Sequence, residues 1–255
     1  MQSSLSVRMT EGRTAQGFLH RAQGNSDTLI VLLHGHNASG NWGKMVTMAK
    51  WFEHNSIDVL RWSAVRKQVE ESVYAVSNVT EEYEQAKALL DSLRRNYKRV
   101  VVVGHSQGAM IGLRLCIEGL AHAYIALMGV GDTNASLKRK ITHLGLPQAV
   151  LSVETYPTNP KPRLTMTNGV QFEYEADFFT DFASWNIPAM LAQWNGPSLF
   201  VAGEQDTMIP ASEVEHASKT VRGESKYLTI ADNHSFSEES AVMLAGVIVN
   251  WLREQ

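Results

Sequence analysis

With 255 residues, 44% of them hydrophobic and 19% charged, the chain has the composition of a folded domain with a sizeable core. Its net charge of −3, with no basic stripe, argues against nucleic acid as a partner. No apolar run approaches the roughly 20 residues that span a bilayer, the N-terminus lacks a secretory-signal pattern, and Cys116 stands alone, so no internal disulfide and a cytoplasmic location are expected.

Short β-like runs alternate with longer helical patterns, which predicts an α/β fold with a mostly parallel, doubly wound sheet. Residues 5–9 and 16–20 flank a Glu11-Gly12 turn and read as an antiparallel hairpin at the sheet edge. Residues 28–33 are apolar after Thr28, the pattern of a buried strand. Trp42, Met45, Val46, Ala49 and Phe52 then recur at helical spacing through residues 42–54. Residues 57–62 form the next strand. A long helix opens at Thr80, with acidic residues in its first turn and Arg94 and Arg95 near its end, as the helix dipole favours. Its buried face is Tyr83, Ala86, Leu89, Leu90, Leu93 and Tyr97. Strands follow at 100–103, 124–128, 198–202 and 227–230. The last helix starts from a possible capping box, Ser235-Phe236-Ser237-Glu238, and runs to about Leu252.

Residues 132–196 break this rhythm. They hold five of the seven prolines, Pro147, Pro157, Pro160, Pro162 and Pro188, and an aromatic cluster of Phe172, Tyr174, Phe178, Phe179, Phe182 and Trp185. The segment is too long for a plain loop and reads as a cap inserted between the sixth and seventh core strands. The core is then 1–131 and 197–255. An ordinary crossover with helices packed on the sheet is the alternative. The aromatics could line a pocket or form the cap's own core.

The most informative residues are Gly104-His105-Ser106-Gln107-Gly108. They match G-x-S-x-G, directly after an apolar strand and directly before a helical pattern that includes Met110, Ile111, Leu113 and Ile117. Strand, tight turn and helix form the context in which this pentapeptide makes a nucleophile elbow. Gly104 and Gly108 leave room for a strained backbone and a closely passing helix. A serine nucleophile needs a base, a group that orients the base, and donors for an oxyanion. The candidate base is His234, in a polar loop between the last strand and the last helix. The candidate acid is Asp206, just past the penultimate strand, with Asp132 as a rival and Glu204 nearby. The oxyanion donors expected are the backbone N–H groups of Gln107 and of His36, in the loop His34-Gly35-His36-Asn37. His34 and His36 have no third ligand at metal-binding spacing, so His34 is expected to prop the loop and no metal is expected. His105 is expected to be structural, and Cys116 a buried, inert thiol.

The order Ser106, Asp206, His234, with an upstream His-Gly loop, resembles the α/β-hydrolase superfamily from about Thr28 to the C-terminus. Within it the chain is similar to small carboxylesterases and cinnamoyl- or feruloyl-esterase-like enzymes. The turn at Gly203 to Pro210 is similar to the acid loop of that fold. In place of the family's frequent Asp-x-x-Gly-x-Gly-x-Ser turn the chain reads Arg61-Trp62-Ser63-Ala64-Val65-Arg66, and the elbow holds serine rather than aspartate. Both departures argue against the epoxide-hydrolase and haloalkane-dehalogenase branches. The resemblance implies a serine hydrolase that cleaves a carboxylic ester of a small or medium-sized substrate without a cofactor. A thioesterase, a perhydrolase or a C–C bond hydrolase would use the same residues. A non-catalytic ligand-binding protein on this scaffold is the alternative of another class. Oligomeric state is not legible.

Overall fold

The computed structural model describes residues 1–146, 161–166 and 168–255. Pro147, Pro157 and Pro160 lie outside the described residues. The chain begins with the antiparallel pair β1 (Gln2–Arg8) and β2 (Thr14–His20), followed by β3 (Thr28–Leu33), α1 (Gly43–His54) and β4 (Asp58–Ser63). Two three-residue strands, β5 (Gln68–Glu70) and β6 (Val73–Ala75), precede α2 (Val79–Leu93). The centre of the chain supplies β7 (Arg99–His105), α3 (Gln107–Ile117), β8 (Ala123–Leu127) and α4 (Thr133–His143). Next come β9 (Arg163–Thr165), β10 (Gln171–Glu173), α5 (Ala176–Ser184) and α6 (Ile187–Leu191). The chain ends on β11 (Ser198–Gly203), α7 (Ala211–Thr220), β12 (Ser225–Ile230) and α8 (Glu238–Glu254).

Among the described residues the main sheet has eight strands in the order β1-β2-β4-β3-β7-β8-β11-β12. Pairing is antiparallel at β1/β2 and β2/β4 and parallel from β4 onward. Side chains on a strand point alternately to opposite faces, and here both faces are covered. Leu29, Val31, Leu33, Val100 and Val102 join the core beneath α2 and α3. Ile30, Leu32, Val101 and Val103 join the core beneath α1 and α8. This two-sided burial explains why β3 and β7 read as unbroken apolar runs rather than alternating ones. Each such Val, Leu or Ile contributes about 1.5–3 kcal/mol when fully buried.

The predicted strands all appear, with ends displaced by up to three residues. The last helix is capped differently from expectation. Ser237, not Ser235, is its N-cap, and its side chain accepts from the Ser240 N–H. Asn78 caps α2 by accepting from Glu81 N–H.

Residues 132–196 lie between β8 and β11, which are the sixth and seventh strands of the main sheet in chain order. A second sheet of four short strands, β5-β6-β10-β9, draws on both this segment and residues 68–75. Val73 pairs with Gln171, and Phe172 with Tyr74, across a separation of nearly a hundred residues. Phe178, Phe179 and Phe182 are fully buried in the same core cluster as the inner faces of α2 and α3. Within the described residues no helix is long and apolar enough to cross a membrane.

Candidate active site

In a mostly parallel sheet the carboxyl ends of the strands share one edge, and loops there converge over a crevice. Four such ends carry the residues singled out above. His34 to Asn37 follow β3, Ser106 follows β7, Asp206 follows β11, and His234 follows β12.

Ser106 sits at the elbow between β7 and α3 with φ 52° and ψ −119°. A non-glycine residue there carries strain of about 1–3 kcal/mol and persists only when its neighbours hold it. Its N–H donates to Leu127 O (3.0 Å) and its carbonyl accepts from Ala109 N–H (3.0 Å). The two elbow glycines are needed for close approach. A Cβ on Gly104 would lie 2.4 Å from Gly108 O, and one on Gly108 would lie 2.4 Å from Leu33 O.

The elbow aims the hydroxyl at an imidazole. Ser106 Oγ lies 3.0 Å from His234 Nε2, and His234 Nδ1 lies 2.7 Å from Asp206 Oδ2. The Asp206 carboxylate is buried, and its other oxygen accepts from the N–H groups of Met208 and Ile209, each at 2.8 Å. These two bonds fix the carboxylate plane, so Oδ2 accepts from Nδ1–H and leaves Nε2 bare toward serine. The His234 loop is itself pinned. Asp232 Oδ2 accepts from Ser237 N–H and Ser240 Oγ–H, and Asp232 O accepts from Gln205 N–H.

Asp132 is elsewhere. It is the exposed N-cap of α4, accepting from Ala135 N–H, and it does not enter this line. Glu204 is also exposed and accepts from Thr229 Oγ–H. Cys116 is buried, and burial pushes its thiol pKa up, out of the range of ready ionisation.

The loop after β3 comes very close to the nucleophile. A Cβ on Gly35 would fall 3.2 Å from Ser106 Cβ and 2.8 Å from His105 Nδ1. His34 props this loop from beneath. Its Nε2 accepts from Ala64 N–H (3.1 Å), so its Nδ1–H donates to Gly35 O (2.9 Å), and its ring stacks on Trp62. Burial, then Arg66, lowers its pKa to about 3 and keeps it neutral. Gln107 opens α3, so its N–H lies in the first turn, where helical amides lack intrahelical acceptors. Among the described residues the His36 N–H also donates to no protein acceptor.

Reading the chain alone missed the polar side chains that join these two residues. His36 Nδ1 meets Gln107 Oε1 at 3.0 Å, and Gln107 Nε2–H donates to Glu82 Oε2 at 2.9 Å. Glu82 is buried and paired with Arg66 at 3.1 Å. His36 Nε2 meets Tyr174 Oη at 2.7 Å. Glu82 lay hidden within an acidic helix start, and Tyr174 within an aromatic cluster. The one available signal was a glutamate on the α2 face otherwise occupied by Tyr83, Ala86 and Leu89.

Beside the site is a cavity of about 490 Å³, within the range of small-molecule sites. His36, Trp42, Arg66, Tyr74, His105 and Phe172 line part of it. Thus Phe172 from the aromatic cluster faces a cavity, whereas Phe178, Phe179 and Phe182 form core.

The model of the alpha/beta hydrolase family matches residues 30–246 of the chain. The chain belongs to the α/β-hydrolase family. No curated protein matches it in sequence. Among solved structures it is similar to Est1E from Butyrivibrio proteoclasticus, at 16% identity and TM-score 0.73, with 99% of each chain covered. The same protein with ferulic acid bound gives 16% identity and TM-score 0.76, covering 98% of each chain. The esterase domain of a Rhodothermus marinus protein matches at 15% identity and TM-score 0.73, covering all of this chain and 98% of that one. At these identities the likeness concerns the α/β-hydrolase fold, and the chain resembles esterases in that sense.

Proposed function

We propose that the protein is a serine hydrolase acting on carboxylic esters of small or medium-sized molecules through an acyl-enzyme. The observation that carries this reading is the continuous line Ser106 Oγ–His234 Nε2 (3.0 Å) and His234 Nδ1–Asp206 Oδ2 (2.7 Å), with Ser106 on a strained turn. Ser106 Oγ attacks the ester carbonyl carbon while His234 Nε2 takes its proton. Asp206 stabilises the imidazolium that results. The N–H groups of Gln107 and His36 receive the oxyanion, and each such donor is worth about 3–4 kcal/mol in the transition state. His234 returns the proton to the departing alcohol. Water then attacks the acyl-serine with His234 again as base, which releases the acid and restores Ser106.

The adjoining cavity supports a substrate with one apolar, ring-sized group, seated among Trp42, Tyr74 and Phe172. The ferulic acid held by Est1E argues for including aromatic acids among the acyl groups assayed. Residues 132–196, joined by β5 and β6, would cap the site. We place the enzyme in the cytoplasm. Its test is hydrolysis of a graded series of p-nitrophenyl esters and acyl thioesters by the purified chain. Ester turnover that is absent from Ser106→Ala supports the reading. Turnover confined to thioesters would move the activity to that class.

A further inference from the structure

We infer that Glu82, Gln107, His36 and Tyr174 form a one-way hydrogen-bonded chain that positions the two oxyanion-hole amides, with Glu82 setting its direction and Tyr174 closing it. This inference rests on the esterase reading for its catalytic meaning, while the direction of the chain rests on the contacts together with an ionised Glu82.

The direction follows from what each atom can do. Arg66 is a donor only, and its guanidinium donates to Glu82 Oε1 at 3.1 Å. A carboxylate so paired only accepts, so Gln107 presents its NH₂ group to Glu82 Oε2 at 2.9 Å. Gln107 Oε1 therefore faces His36, and at 3.0 Å it requires a proton on His36 Nδ1. His36 Nε2 is then a bare lone pair. It accepts a hydrogen bond from the Tyr174 hydroxyl across 2.7 Å. The Tyr174 oxygen in turn accepts from Asn37 Nδ2–H at 3.2 Å. Every bond from Asn37 to Glu82 runs in one direction, and Glu82 only accepts.

The chain spans four parts of the fold. Glu82 belongs to α2, Gln107 is the residue after the nucleophile, and His36 and Asn37 belong to the loop after β3. Tyr174 follows β10 in the small sheet. The two residues whose backbone N–H groups would hold the oxyanion are thus joined through their own side chains. Arg66 also donates to Ala38 O at 2.7 Å, so the same cation holds both Glu82 and the loop. His36 is kept neutral by burial and by the nearby cations Lys140 and Arg66. Burial also raises the Glu82 carboxyl, against the pull of Arg66. A protonated Glu82 would offer Gln107 a hydroxyl and reverse the chain, so the His36 tautomer reports which state holds. Glu82 and Tyr174 are positioning residues, since neither touches the reacting atoms.

The test is the ¹⁵N spectrum of the imidazoles in the full-length protein, with His36 assigned by its loss in His36→Asn. The wild type should show His36 protonated at Nδ1 and bare at Nε2. In Glu82→Gln the new amide must turn its oxygen to Arg66 and its NH₂ to Gln107. Gln107 then flips, and His36 should switch to the Nε2–H tautomer. Tyr174 can follow because Asn37 Oδ1 has no partner among the described residues. In Tyr174→Phe, Gln107 still governs His36, and the Nδ1–H tautomer should persist. Both variants should lose about tenfold in kcat, the scale of slightly misplaced catalytic groups, with KM within about twofold. A wild-type Nε2–H tautomer, an unchanged tautomer in folded Glu82→Gln, or wild-type kcat in both variants would overturn the inference. If Glu82→Gln does not fold, the wild-type and Tyr174→Phe spectra and kcat decide. Because the spectra need no turnover, the chain can stand even where ester hydrolysis is absent, and the two failures remain distinct.

Discussion

His105 Nε2–H donates to the backbone carbonyl of His234 across 2.8 Å, so the residue before the nucleophile anchors the loop that carries the base. Burial, then the neighbouring His234 imidazole, lowers the His105 pKa to about 3 and keeps the ring neutral. Its ring also packs against Trp42 and Phe236. His105→Ala removes both the tether and the packing. It should cost about 1–3 kcal/mol of stability, the scale of a buried group left unpaired. Turnover should fall by about one to two orders of magnitude as His234 loses its alignment. Urea midpoints and kcat measured on the same variant check both.

The orienting acid gives a sharper contrast. In Asp206→Asn the retained oxygen still accepts from Met208 and Ile209 N–H, so the amide NH₂ faces His234. The imidazole must then carry its proton on Nε2 and cannot accept from Ser106. The expected loss in kcat is about 10⁴-fold with little change in stability. Asp132→Ala should leave kcat within about twofold and cost ~1 kcal/mol for the lost α4 cap. Steady-state kinetics of both variants decide between the two carboxylates.

Gly35→Ala tests how tightly the loop after β3 approaches the nucleophile. The added Cβ would meet His105 Nδ1 at 2.8 Å and Ser106 Cβ at 3.2 Å, so the loop must retreat. Overpacking of this kind costs about 1–3 kcal/mol. A displacement of the His36 amide should reduce kcat by about a hundredfold, with a smaller change in KM. A variant with wild-type kcat and an unmoved loop would place the oxyanion donors elsewhere.

Stability should depend on pH through the buried neutral histidines. His34 and His105 both have folded pKa values of about 3, below the unfolded value of 6.5. Above pH 6.5 neither state binds the proton and the stabilisation is fully present. As pH falls from 6.5 toward 3, only the unfolded chain gains protons, and stability falls by roughly 1.4 kcal/mol per pH unit for each histidine. Thermal melts between pH 8 and pH 5 should show a plateau and then a decline below about pH 6.5. The decline should be shallower in His105→Gln.

The main sheet was legible because its strands are buried on both faces and therefore stand out as apolar runs, as at Leu29–Leu33 and Val100–Val103. The serine, histidine and aspartate were legible because they occupy strand ends, where this fold gathers its loops. The small sheet was not. Gln68–Glu70 and Val73–Ala75 are too short for a periodic signal, and Val73 finds its partner Gln171 only in three dimensions. The Glu82–Gln107–His36–Tyr174 contacts were hidden for the same reason, since local pattern reads Glu82 as a helix-dipole partner and Tyr174 as one aromatic among six. Ser237 replaced Ser235 as the cap of α8 because Asp232 and Asn233 already fold the preceding residues into a turn, accepting from Ser237 and Ser235 N–H.

The central claim is that Ser106 is an activated nucleophile. The most direct measurement is intact-mass and peptide mapping after treatment with a fluorophosphonate probe. A single adduct on Ser106, absent in Ser106→Ala and strongly slowed in His234→Ala, is the result this account predicts. Folded wild-type protein that takes no probe, or takes it on another residue, would contradict it and turn attention to ligand binding without catalysis.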